Sequence, residues 1–289
     1  MGKEALEAGG GLGRLAPRRA WISIGLFAYC LIVLGPMAAL LAETVTHLAA
    51  GNWDWLWLAV PIERRLRLLA RSLGLGFGVA VVGMALGVVC ATVLRRWRSG
   101  WGAYLRWGLF LLVPIPPYLH ALGWAGLVEM VNQGLIALGR SPIGFHGWLA
   151  SWWVHLMAFL PLAVAMALIG LESVDRDLIE AGRMARADIH VFRRVILPLA
   201  APTILAGGCF LFLLSVVDYS VPSLFQYNVY ALEIFAEFTA SSQAGRAFLL
   251  SMPIMCTALL VVLITQAGLR SAALGPPWRE RESGTRFLW

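Results

Sequence analysis

The chain has 289 residues, 60% of them hydrophobic and 13% charged, with a formal net charge of +7. Soluble domains carry roughly a quarter charged residues, so a water-soluble fold is excluded and lipid is the solvent for most of the chain. The basic excess, 22 arginines and the single Lys3 against 16 acids, lies between apolar runs and not on one face, so it marks membrane topology and implies no nucleic acid.

Trp21–Leu41 is the first uncharged run, preceded by Lys3, Arg14, Arg18 and Arg19. Its apolar core exceeds the ~7–15 residues of a signal sequence, which favours an uncleaved span, with cleavage near Ala38 and Ala42 as the alternative. Pro61–Leu69 carries Arg64, Arg65 and Arg67 and reads as an amphipathic segment lying on the membrane surface. Ser72–Leu94 is the second span, with Gly74, Gly78, Gly83 and Gly87 as two small-residue pairs for close helix approach. Trp107–Val128 is the third. Pro114, Pro116 and Pro117 must kink or break it, because each proline removes a backbone donor and clashes with the preceding turn. Trp148–Leu171, Leu197–Val217 and Ala247–Leu269 complete a predicted set of six, each long enough for a ~30 Å hydrocarbon core. Trp53, Trp55, Trp57, Trp101, Trp148, Trp152 and Trp153 gather near span ends, where interfacial aromatics belong.

Basic residues set the expected orientation. With the N-terminal tail inside, 17 Lys and Arg fall in cytoplasmic segments and six fall outside: Arg64, Arg65, Arg67, Arg71, Arg140 and Arg246. Both termini are therefore expected in the cytoplasm. The expected organisation is a tail over 1–20, a six-span domain over 21–269 with an internal connection over 172–198, and a second tail over 270–289.

Few residues offer catalytic chemistry. Lys3 is the only lysine and no Gly-rich loop ends in Lys-Ser or Lys-Thr, so no P-loop can be built for nucleotide phosphates. Neither a His-Glu-x-x-His pair nor a Gly-x-Ser-x-Gly elbow occurs. Cys30, Cys90, Cys209 and Cys256 lie apart inside apolar runs and read as packing residues. No cofactor or metal is expected, and the chain is not read as an enzyme.

The connection Glu172–Pro198, ESVDRDLIEAGRMARADIHVFRRVILP, is the most informative segment. Asp177 and Glu180 have capping-box spacing, Leu178, Ala181 and Met184 follow at helical intervals, and Asp188 offers a second cap. Two short surface helices joined by a bend are predicted. Glu180-Ala181-Gly182, followed by Val191 to Pro198 ending Ile-Leu-Pro, resembles the cytoplasmic loop of the permease subunits of binding-protein-dependent ABC importers. Gly182 stands where that family has a second Ala, and residues around Arg186 and Ala187 replace its loop glycine. Asp218-Tyr219-Ser220-Val221-Pro222 resembles a run found in the ferric iron, polyamine and thiamine branch.

The resemblance implies an all-α, type I importer permease fold of six spans in a bacterial inner membrane. It also implies two cytoplasmic ATP-binding subunits, a second permease subunit in a homodimer or heterodimer, and an extracytoplasmic solute-binding protein. Asp177, Leu178, Glu180, Ala181, Gly182, Met184 and Arg186 would form the ATPase-coupling loop. Candidate pathway residues are Tyr118 and His120 beside the proline break, and Asp218 and Tyr219 after the fifth span. For Asp218 the alternative is an ordinary interfacial acid, and for the break it is a packing kink. A lone His120 or His155 is more often hydrogen-bonded to a neighbouring helix than a ligand. A secondary transporter or channel without an ATPase is the rival reading, and it lacks a convincing ion-coupling acid within a span. A membrane-embedded enzyme or assembly subunit is another.

Overall fold

The computed structural model describes residues 12–96, 100–185 and 187–273. Lys3, Arg98 and Arg186, and the ends of both predicted tails, lie outside the described residues. Among the described residues all regular structure is helical: α1 (Leu12–Ala49), a 3₁₀ helix (Trp53–Ala59), α2 (Arg64–Arg96), α3 (Gly100–Leu112), α4 (Pro117–Ala137), α5 (Gly147–Glu172), α6 (Arg176–Ala185), α7 (Asp188–Val191), a π-helical turn (Phe192–Ile196), α8 (Leu197–Val217), α9 (Ser220–Leu224), α10 (Tyr230–Ser241) and α11 (Ala244–Ala273).

Among the described residues five stretches are long and apolar enough to cross a membrane: Ile22–Ala49, Trp53–Arg96, Gly147–Glu172, Asp188–Val217 and Ala244–Arg270. A sixth is counted when Tyr104–Leu112 and Pro117–Ala137, bent by 99°, are taken as one broken span. The bend falls at the proline cluster, where Pro116 caps α4 and Pro117 occupies its first turn. The helical run goes past the predicted end at Val128, and Gln133 Nε2 donates to Glu129 at 3.3 Å on its exposed surface. α4 ends at Ala137 in a Schellman turn. Gly139 takes φ +69°, its N–H reaches the Ile136 carbonyl at 2.9 Å, and the Arg140 N–H reaches the Leu135 carbonyl at 2.8 Å.

Two compact units are distinguished by their contacts. One joins the described part of Met1–Val60 to Glu237–Leu250. In it Trp55, predicted at the interface, is buried with Leu58 and Leu249, while Trp53 and Trp57 are exposed. His47 stacks on Trp55 at 4.4 Å, and Arg246, paired to Glu237 at 2.6 Å, lies over the same ring.

The other unit, Pro61–Ala236 with the described part of Ser251–Trp289, is centred on α2, α5 and α8. Backbone proximity explains its glycines. A methyl group on Gly87 would lie 2.8 Å from the Ala163 carbonyl group on α5, and one on Gly76 would lie 2.7 Å from Val216 Cγ2 on α8. Gly83 faces Leu211 and Gly78 faces the Trp152 indole, but Gly74 of the predicted pairs faces open space. The close-approach register is therefore Gly76, Gly83 and Gly87, which share the buried side of α2.

The predicted surface segment Pro61–Leu69 is corrected. Nothing between Arg64 and Ser72 breaks a helix, so α2 runs unbroken over 33 residues, about 50 Å. This exceeds a hydrocarbon core, so its first turns reach beyond one. There Arg64 bonds Glu233 of α10 at 2.7 Å, and Arg71 lies 5.8 Å from the Tyr227 ring centroid. Burial pushes the Tyr227 hydroxyl up in pKa, and the Arg71 guanidinium partly offsets that.

Candidate functional site

The predicted connection begins where α5 ends. Ser173 caps that end, its hydroxyl donating to the Gly170 carbonyl, and Arg95 donates to the Leu171 carbonyl at 2.9 Å. Arg106 reaches the Leu94 carbonyl and Glu172. These arginines satisfy carbonyls that helix ends leave unpaired and complement the negative ends of α2 and α5.

α6 is capped two residues before its predicted cap, Asp177. Asp175 Oδ1 accepts the Asp177 N–H at 3.0 Å, so Asp175 is the N-cap and Asp177 already belongs to the first turn. The expected second cap is also corrected. Asp188 is the first residue of α7, its side chain paired to Arg183 across the bend at 3.2 Å. Four residues of α7 lead without interruption through the π-helical turn into α8, so the second short helix is the entry to the next span.

One side of α6 is anchored. Ile179 is buried in the main core with Val174 and Val191, and a methyl group on Gly182 would meet Val191 Cγ1 at 3.0 Å. The small residue at 182 thus serves the loop's own bend. The other side has no cover within the described chain: Leu178 is 39% and Met184 92% exposed, with Ala181, Asp177 and Glu180 beside them. An apolar stripe edged by acids on a short, anchored helix has the form of a docking surface for another protein.

The pathway candidates divide. Tyr118 and His120 follow the break on α4, Tyr118 exposed and His120 Nε2 buried without a hydrogen-bond partner. His120 lines a shallow apolar groove with Ile115, Leu119, Gly123, Trp124 and Leu127. Its neighbour Ala121 packs with Val154 of α5 and Val221 of α9. Asp218 and Tyr219 form the joint between α8 and α9, where Tyr219 stacks on Phe235 at 4.9 Å. Asp218 is no free acid. Its Oδ1 accepts from the Ser220 N–H at 2.9 Å and the Ser220 hydroxyl at 2.6 Å, and its Oδ2 lies 3.0 Å from His155 Nε2. His155 is fully buried in α5, with Nδ1 2.8 Å from the Ser151 carbonyl oxygen. A histidine inside an uncharged span and an acid 63 positions later are each conspicuous in the sequence, but nothing in their spacing pairs them.

The model of the family described as binding-protein-dependent transport system inner membrane component matches residues 83–273. The chain belongs to this family. Its matched region takes in α6, the π-helical turn and the Asp218 joint. Among curated relatives, the Fe(3+)-transport system permease protein FbpB 2 of Haemophilus influenzae is 24% identical over 190 residues, covering 64% of this chain and 34% of that protein. The spermidine/putrescine transport system permease protein PotC of Escherichia coli is 27% identical over 161 residues, covering 54% of this chain and 57% of its own length. The chain thus spans between a third and somewhat over half of these relatives. A chain in the crystal structure of a bacterial alginate ABC transporter, in complex with an alginate pentasaccharide-bound periplasmic protein, shares the fold. The TM-score is 0.65 at 14% identity, covering 86% of this chain and 93% of that one.

Family and apolar helices together make this a multi-pass membrane protein of the importer permease fold.

Proposed function

We propose that the chain is the pore-forming subunit of an ATP-driven importer in a bacterial inner membrane. In this reading both termini are cytoplasmic, residues 21–269 form the translocating domain, and residues 172–198 form the coupling loop between tails over 1–20 and 270–289. Two cytoplasmic ATPase subunits hydrolyse ATP, a second permease subunit completes the pore, and an extracytoplasmic binding protein delivers the solute. The chain itself supplies no nucleotide chemistry.

The observation that carries this reading is the uncovered face of α6, held by Ile179 and Gly182 and presenting Leu178, Ala181 and Met184 with Asp177 and Glu180. ATPase closure would push on that face and move α5 and α8, which α6 joins, so that the pore alternates between inward and outward access. The named relatives favour ferric iron or a polyamine as the solute, with thiamine retained from the Asp218 motif.

The test is affinity purification of the tagged chain in mild detergent, with its partner identified by a Walker lysine and by ATP hydrolysis. Leu178→Asp/Met184→Asp lowers co-purified ATPase activity at least about tenfold, the equivalent of roughly 1.4 kcal/mol of binding. Full retention of the ATPase by this variant contradicts the reading. Uptake of Fe(III) citrate and of spermidine, used as probes in reconstituted vesicles, then separates the solute classes.

A further inference from the structure

His155 and Asp218 join two parts of the chain that the proposed mechanism must move together. From His155, α5 continues to Glu172 as one helix, about 25 Å at 1.5 Å per residue, and α6 begins at Arg176. Asp218 fixes the joint at the far end of α8, receiving the Ser220 N–H and hydroxyl at the start of α9. The contact between them is therefore a link between the rod that carries the coupling helix and the break at the opposite side of the membrane.

That link needs a proton. Ser151 offers only a carbonyl oxygen to Nδ1, so Nδ1 must carry hydrogen. Nε2 faces a carboxyl oxygen at 3.0 Å, and a bare ring nitrogen facing a carboxylate would set two acceptors against each other. The contact is favourable only when one further proton lies between them, on the ring or on the carboxyl. Loss of that proton to water converts attraction into repulsion inside a poorly solvated site, where an unmatched polar contact is costly.

The surroundings leave few competitors for this role. His155 is the only ionisable side chain of α5 before Glu172, and its other neighbour is the Phe159 ring. The facing helices contribute little: α2 has none between Ser72 and Val89, α9 has none, and α8 has only Cys209. α3 carries Tyr104 and Arg106, and α4 carries Tyr118, His120 and Glu129.

We propose that His155 and Asp218 form a proton-held clamp that transmits the movement of α5 to the α8–α9 joint, with His155 as a positioning residue. The proposal rests on the importer reading for its transport consequence, but not for the state of the clamp itself. In the first experiment the purified chain, labelled with ¹⁵N-histidine, is studied by NMR near neutral pH, with His155→Gln assigning the signal. The expected spectrum has hydrogen at Nδ1 and a second proton shared with or held at Nε2, and Asp218→Asn removes the second. A ring whose Nε2 neither carries a proton nor accepts a hydrogen bond, unchanged by Asp218→Asn, overturns the clamp whatever the chain transports.

The second experiment measures ATP hydrolysis and uptake of the Fe(III) citrate and spermidine probes in the reconstituted complex. His155→Phe retains hydrolysis and loses most uptake. His155→Phe/Asp218→Asn, which leaves no unpaired buried charge, stays uncoupled. His155→Gln keeps a donor to Asp218, so it restores uptake. Full uptake in the double variant means that the pair merely neutralises a buried charge, and no recovery of uptake in His155→Gln means that no hydrogen bond to Asp218 carries the coupling. Either result overturns the clamp. Failure of every form, parent included, to couple a purified ATPase to transport counts against the importer reading, while the NMR spectrum still decides the state of the clamp.

Discussion

α1 and α5 are alike as strings of residues, each long, apolar and uncharged over its central window, yet they use that apolarity differently. Of the most apolar window of α5, 72% is buried, whereas none of that of α1 is buried by its own unit. The difference lies in small residues and not in hydropathy. α5 meets α2 and α8 where Gly87, Gly170 and Gly207 let backbones approach, whereas Gly25 and Gly35 on α1 have nothing within 4 Å in their own unit. In a bilayer, hydropathy places a helix in lipid, and close packing decides which helices it joins.

The comparison is easiest to break at its glycines. Gly87→Leu places a side chain where even a methyl group meets the Ala163 backbone, and is expected to cost about 3 kcal/mol through overpacking. Gly25→Leu, on an open face, should change stability by less than about 0.5 kcal/mol. Thermal unfolding in detergent, followed by the loss of monodisperse protein, reads both; equal shifts would remove the distinction between α5 and α1.

A smaller effect is expected at the α8–α9 joint. Asp218→Ala strips α9 of its cap and His155 of its acceptor, and should cost about 2 kcal/mol in the same assay. Replacing Asp175, the cap of the exposed α6, with Ala should cost about 1 kcal/mol in helix stability and be read as faster proteolysis between Glu172 and Asp188. Least of all is expected from Arg64→Gln. That arginine is two-thirds exposed in its pair with Glu233, and such surface pairs contribute about 0–1 kcal/mol.

Much of this architecture is legible in the sequence. Uncharged runs identify the spans because lipid tolerates few charges, and the prolines at 114, 116 and 117 identify the break. The loop is readable through its helical spacing, though that spacing points to a cap at Asp177 in place of Asp175, since both acids suit the position and only backbone geometry separates them. The continuity of α2 is hidden because its arginines resemble those of a surface helix, whereas the absence of a breaker between Arg64 and Ser72 allows one helix to carry them. Least legible is the His155–Asp218 contact. Period and composition describe neighbours along a helix, and nothing in them records which residue of α5 meets the end of α8.

The central claim is that the free face of α6 receives the ATPase, and site-specific photo-crosslinking tests it most directly. A photoreactive residue at Ala181 or Met184 should give a covalent adduct with an ATP-hydrolysing subunit in native membranes, its yield changing when ATP is trapped with vanadate. The same residue at Leu205, exposed on α8 within a span, should capture lipid or another membrane chain and not the ATPase. Adducts with an ATPase at Leu205 and none at Ala181 or Met184 would contradict the account.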